Sequence, residues 1–187
     1  MARVLPLESL VPKGVQKPPL RISVIGAGEA SPEECRLAEA VGRTLAQAGA
    51  VVVTGGMGGV MEAASRGCME AGGTTVGFLP GRDTTKANRW VTLPLATAMG
   101  ESRNSLVVRA GEAVVAIGGS WGTLSEIALA RKMGHSVVLL GQPPVDLPLP
   151  RAERPEEAAA WALQQALKRR EGGSAPTPHS GRNPSPE

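Results

Sequence analysis

Ala113-Val114-Val115-Ala116-Ile117 runs straight into Gly118-Gly119-Ser120-Trp121-Gly122-Thr123-Leu124-Ser125-Glu126, and the fold is decided where the two meet. The five apolar residues have the length and β-branched content of a buried strand. Beyond the glycines, Ile127, Ala128, Leu129 and Ala130 lead into Arg131-Lys132-Met133-Gly134, the pattern of a helix stopped by a glycine. A strand that passes through glycines into a helix leaves unpaired N–H groups at the positive end of the helix dipole. Phosphate is the usual occupant of such a place. Glycine suits the turn because a side chain would hold an anion off the amides. Thr123 adds a hydroxyl donor. Glu126 has two readings: an acid that works on an atom beside the bound anion, or the last residue of a Thr123-x-x-Glu126 capping box.

The same junction recurs upstream. Arg21-Ile22-Ser23-Val24-Ile25 reads as a strand that ends in Gly26-Ala27-Gly28-Glu29-Ala30-Ser31, with Ser31 as cap and Pro32 in the first turn of a helix. That helix carries Leu37, Ala38, Val41 and Leu45 on one face and stops near Gly49. Gly26-x-Gly28-x-x-Ser31 departs from the dinucleotide fingerprint at its third glycine. The next strand, Ala50-Val51-Val52-Val53, meets Thr54-Gly55 where an acid should reach a ribose, so a nicotinamide cofactor is not expected. Gly26 and Gly28 then line a nucleotide site or simply make a tight turn.

Gly55-Gly56-Met57-Gly58-Gly59 is the third such junction, followed by a helix to Gly72-Gly73 and a strand over Thr74–Pro80. Residues 81–98 have no period, apart from a short strand candidate at 90–94, and a loop of that length is often functional. Met99-Gly100-Glu101-Ser102-Arg103-Asn104 opens another helix, and an arginine in a first turn calls for a nearby anion, either a ligand or the partner of a surface salt bridge. Ser136–Gly141 reads as the last strand, with His135 before it as a solvated turn residue. Residues 142–150 read as a linker, and Pro155 starts a closing helix. Strands alternating with helices specify an α/β fold, a single doubly wound Rossmann-like parallel sheet with helices on both faces. The glycine turns gather at the carboxyl edge of that sheet, where ligands bind in such folds.

Residues 1–19 read as a flexible arm, 20–170 as the folded nucleotide-binding domain and 171–187 as a disordered tail. A net charge of +3 and an aromatic content of 2% leave little for nucleic-acid stacking, so no nucleic-acid partner is expected. No apolar run reaches the length of a membrane span, and the first 17 residues lack a signal-peptide core. Cys35 and Cys68 read as buried thiols in a reducing, cytoplasmic setting, with no metal site and no resident cofactor expected.

These motifs resemble the Lonely-guy (LOG) phosphoribohydrolases of the SLOG superfamily, often mislabelled as lysine decarboxylases. The run from Gly118 is similar to their P-G-G-x-G-T-x-x-E signature. Gly118 stands at the proline and Ser120 at the second glycine, while Gly119, Gly122, Thr123 and Glu126 match. Residues 55–80 follow the G-G-x-x-G-x-M-…-G-G-x-x-x-G-x-x-P run, and Arg103-Asn104 stand near the M-x-x-R-K stretch. The departures resemble a side branch that includes the molybdenum-cofactor carrier proteins.

The resemblance implies hydrolysis of a nucleoside 5′-monophosphate to free base and ribose 5-phosphate. Glu126 and Arg103 would be the catalytic residues. Gly26, Gly28, Gly55, Gly56, Gly58, Gly59, Asn104, Gly118, Gly119, Ser120, Gly122 and Thr123 would hold the phosphate or nucleotide. An ionised Glu126, at the ordinary carboxylate pKa of ~4.3, would stabilise oxocarbenium character. The alternative is a carrier that binds a phosphorylated cofactor or nucleotide without turning it over. The resemblance also implies a homodimer or higher, paired through the helices that start at Gly59 and Arg103. Lysine decarboxylation is rejected, because neither Lys86 nor Lys132 lies where a Schiff base would form.

Overall fold

In the computed structural model, residues 18–143 and 145–172 are described, so most of the arm and the tail lie outside the described residues. Strands β1 (Arg21–Gly26), β2 (Val51–Thr54), β3 (Thr74–Leu79), β4 (Leu93–Ala96), β5 (Ala113–Ile117), β6 (Val137–Leu140) and β7 (Arg151–Ala152) form one sheet. Its order is β4-β3-β2-β1-β5-β6-β7 and every pairing is parallel. Helices α1 (Pro32–Gln47), α2 (Val60–Glu70), α3 (Asn104–Ala110), α4 (Trp121–Lys132) and α5 (Pro155–Glu171) connect or follow the strands.

The two faces can be read from strand alternation. Ile22 and Val24 point to the layer of α1, α2 and α5, where Val41, Leu45, Ala64 and Ala162 are fully buried. Ile25, Val114 and Ala116 point to the layer of α3 and α4, against Val107, Val108 and Ile127. Ser23, on this second face, donates to the Val107 carbonyl at 2.7 Å and so satisfies a polar group inside the core. The doubly wound α/β sheet expected from the sequence is the one observed.

Three features differ from the sequence reading. The edge strand is β4 at Leu93–Ala96, which starts three residues later than the 90–94 candidate and overlaps it at 93 and 94, because Thr92 turns inward to bond Thr75 instead. A short strand β7 lies just after the 142–150 linker, between it and the closing helix, and pairs with Leu139 and Leu140. His135 is not a solvated turn residue: it is only 3% exposed. It lies at the amino edge of β6, with the Arg131 side chain bonded to its carbonyl and Arg169 bonded to that of Gly134. Burial, with Arg169 and Arg109 adding repulsion, lowers its pKa to about 4.

Candidate functional site

The strand order reverses between β1 and β5, leaving a crevice at their carboxyl ends. A cavity of ≈ 180 Å³ opens there. Its walls are Gly26, Ala27 and Gly28 after β1, Met61 of α2, Glu101, Arg103 and Asn104 before and at the start of α3, and Ser120, Gly122, Thr123 and Glu126 of the α4 turn. Eight residues singled out from the sequence therefore share one cavity: Gly26, Gly28, Arg103, Asn104, Ser120, Gly122, Thr123 and Glu126.

The other glycines stand behind that wall and shape it. Gly55 lies under Arg103, where a Cβ would sit 2.6 Å from Nη1. The Gly58-Gly59 turn packs on the first loop instead of facing ligand, and a Cβ on Gly59 would come 2.3 Å from the Ala27 carbonyl. That carbonyl accepts from the Val60 N–H at 3.0 Å, so one amide of the α2 start is already spoken for. Gly56 is held by Asn88, whose N–H donates to its carbonyl at 2.9 Å while Asn88 Nδ2 donates to Met57 at 2.8 Å. This gives the 81–98 loop a definite task, bracing the second glycine turn.

At α4 the helix start is organised by Ser120 as cap and Thr123, whose Oγ1 accepts from the Ser120 N–H at 3.4 Å. Glu126 lies one turn further on and takes no part, so the capping-box reading of Thr123-x-x-Glu126 is excluded. The N–H groups of Trp121 and Gly122 find no acceptor among the described residues, and the Thr123 hydroxyl keeps its proton to donate. Gly122 and Thr123 line the cavity, so an open amide and a hydroxyl stand there at the positive end of a twelve-residue helix, with the open Trp121 amide next to them in sequence.

Arg103 ends a 3₁₀ turn (Gly100–Arg103) and is only 8% exposed. Its Nη1 donates to Asn104 Oδ1, and its Nε is buried without a partner. Burial lowers its pKa, opposed by the charges of Glu126 and Glu101, yet neither carboxylate forms a direct ion pair with it. A buried guanidinium with an unused N–H is costly unless an anion arrives. Glu126, 7% exposed, is not an ordinary carboxylate as the sequence reading assumed. Burial raises its pKa to about 7, partly countered by Arg103 and assisted by Glu101, so near neutrality the acid and its anion coexist.

Glu101 and Met61 belong to this wall and were not singled out from the sequence. Glu101 adjoins the Arg103 motif, but only its place on the 3₁₀ turn brings it to the cavity. Among the described residues, no group of His, Cys, Asp and Glu is arranged to hold a metal ion, and no helix is long and apolar enough to cross a membrane.

Comparison with known proteins fits this architecture. The model of the SLOG cluster4 family matches residues 19–168. A relative from Archaeoglobus fulgidus, described as an uncharacterized protein, is 40% identical over 149 residues, 80% of this chain and 98% of its own. The molybdenum cofactor binding protein of the phototrophic bacterium Rippkaea orientalis superposes with TM-score 0.70 at 32% identity, covering 83% of this chain and 99% of that one. The Moco carrier protein of Chlamydomonas reinhardtii superposes with TM-score 0.72 at 34% identity, covering 81% and 99%.

Proposed function

This chain belongs to the SLOG cluster4 family, and we propose that it binds a phosphorylated small molecule, a cofactor or a nucleotide, and carries it without breaking it down. One observation carries the reading: Arg103 is buried in the cavity wall with an unpartnered Nε and no ion pair, across from open amides. Such a group awaits an anion. The phosphoryl group would be held by Arg103, the Trp121 and Gly122 amides and the Thr123 hydroxyl. The rest of the ligand would lie along Gly26–Gly28 and Met61. The likeness to two molybdenum-cofactor proteins, each covered almost end to end, makes that cofactor the first cargo to test. The residues present suit its anionic part.

A second reading, N-glycosidic hydrolysis, is favoured by Glu126. A buried carboxyl with a pKa of about 7 is matched to proton transfer at neutral pH. Water would attack the ribose carbon as the bond to the base breaks, with Glu126 taking the water's proton or supplying one to the base. Incubation with 5′-monophosphates of several bases, followed over time, separates the two. Ligand recovered intact from the bound complex supports carriage. Steady release of free base and ribose 5-phosphate supports hydrolysis.

A further inference from the structure

At the carboxyl edge of the sheet, one side chain, Glu34 of the α1 start, bridges from the loop after β1 to the loop after β5. Glu34 Oε2 accepts from the Ser31 N–H at 2.8 Å, while the Glu34 N–H donates to Ser31 Oγ at 3.2 Å. Pro32 has no N–H, and Cys35 donates to the Ser31 carbonyl at 3.0 Å, so the start of α1 is nearly spent on itself. The other oxygen, Oε1, reaches across the crevice and accepts from the Gly119 N–H at 3.1 Å. A carboxylate therefore stands where the β5–α4 loop would offer an amide to an anion. Gly118 is fitted to it: its φ is +51°, and a Cβ there would lie 1.9 Å from Oε1. The proline that the resembled signature has at this point could adopt neither feature, since its ring holds φ near −65°.

We propose that Glu34 is a specificity residue of this crevice, closing it to a second anionic group and leaving one phosphoryl seat at α4. The inference rests on the anion site proposed above. On the side of the crevice between α4 and α1, the Gly119 N–H is bonded to Glu34 and the Ser120 N–H to Thr123, so the amides left open at α4 are those of Trp121 and Gly122. A chain of two phosphoryl groups running from α4 toward α1 meets the Glu34 carboxylate instead of amides. Burial pushes the Glu34 pKa up, but the hydrogen bonds from Ser31 and Gly119 outweigh this and hold it below its ordinary value, so the group is charged at neutral pH. Glu34 thus both occupies the second seat and repels what would fill it.

The test is a titration of the full ¹⁵N-labelled chain with inorganic phosphate and with inorganic pyrophosphate at pH 7.5, followed by amide resonances. Glu34→Gln is compared with the wild type and with Glu29→Gln, which removes an exposed charge from the neighbouring loop without touching Gly119. In the wild type, phosphate should move the Trp121 and Gly122 resonances and leave Gly119 in place, and pyrophosphate should bind no tighter. In Glu34→Gln, pyrophosphate should bind at least tenfold tighter and move Gly119, while phosphate changes less than threefold. Glu29→Gln should keep the wild-type ratio. An unchanged ratio in Glu34→Gln, an equal change in Glu29→Gln, or weaker binding of both anions overturns the proposal. So does a wild type that already prefers pyrophosphate tenfold, a comparison that stands even if the variant misfolds. If neither anion moves Trp121 or Gly122 in the wild type, the anion site itself is absent and this inference falls with it.

Discussion

Arg103 rests on Gly55: a Cβ at residue 55 would lie 2.6 Å from Nη1 and 2.7 Å from Nη2 of the guanidinium. The close approach lets a 3₁₀ turn before α3 deliver a cation over the end of β2. One hydrogen bond, from Nη1 to Asn104 Oδ1, holds the guanidinium beside this steric fit. Gly55→Ala should expel the guanidinium, because a methyl group cannot share that space. Phosphorylated ligand should bind at least tenfold more weakly, as in Arg103→Ala, while circular dichroism shows an intact fold. Wild-type affinity in Gly55→Ala would mean that Arg103 does not act from this position.

Gly122 lines the cavity, and a Cβ added there meets nothing within 4 Å. Gly122→Val should therefore fold with a melting temperature within a few degrees of wild type. Its side chain would stand where an anion must approach the amides. A nucleoside monophosphate should lose affinity, and the free nucleoside should change little. Equal losses for both would show a disturbed fold instead of a blocked phosphate seat.

Glu126 makes stability depend on pH in a defined sense. Its folded pKa of about 7 lies above the ordinary 4.5, so the folded chain binds more protons between those values. The stabilisation is complete below pH 4.5 and is lost as pH rises to about 7. Glu126→Gln keeps a neutral side chain at every pH and should be more stable than wild type above neutrality, by up to roughly 3 kcal/mol. Urea melts at pH 5 and pH 8 check this, and equal wild-type and variant slopes would contradict it. If the protein hydrolyses, the same change should cut the rate by about a hundredfold or more. If it carries, binding should persist.

His135 acts in the opposite sense. Its pKa falls from 6.5 to about 4 on folding, so the unfolded chain binds more protons between those values. Stability is full above pH 6.5 and is lost as the pH drops toward 4. His135→Phe should flatten the acid limb of the stability curve. A variant as acid-sensitive as wild type would place the sensitivity elsewhere.

The fold was legible because β1, β2 and β5 are short β-branched runs ending in glycines, as at Val53-Thr54-Gly55 and Ile117-Gly118-Gly119, whereas β4 and β7 carry no such pattern. Six of the eight cavity residues were legible because loops after β1 and β5 must meet at the switch point, while Arg103 and Asn104, which follow β4, were legible through the resembled R-K stretch. What escaped depends on distance in sequence. Nothing near residue 135 signals that Arg109 and Arg169 crowd His135. The Ser31-x-x-Glu34 capping box is a local pattern, but its second oxygen bonds an amide 85 residues away. Likewise, the glycines of residues 55–59 look identical as letters. Only packing separates Gly55, under Arg103, from Gly59, against Ala27.

The proposed function requires this crevice to recognise a phosphoryl group through Arg103 and the α4 amides. Isothermal titration of the wild-type protein with a nucleoside 5′-monophosphate and with the same nucleoside, with inorganic phosphate as competitor, tests it most directly. The monophosphate should bind at least tenfold tighter, a difference of about 1.4 kcal/mol, and that advantage should be competed away by phosphate and lost in Arg103→Ala. Equal affinities for the two ligands, unaffected by phosphate or by the loss of Arg103, would contradict it.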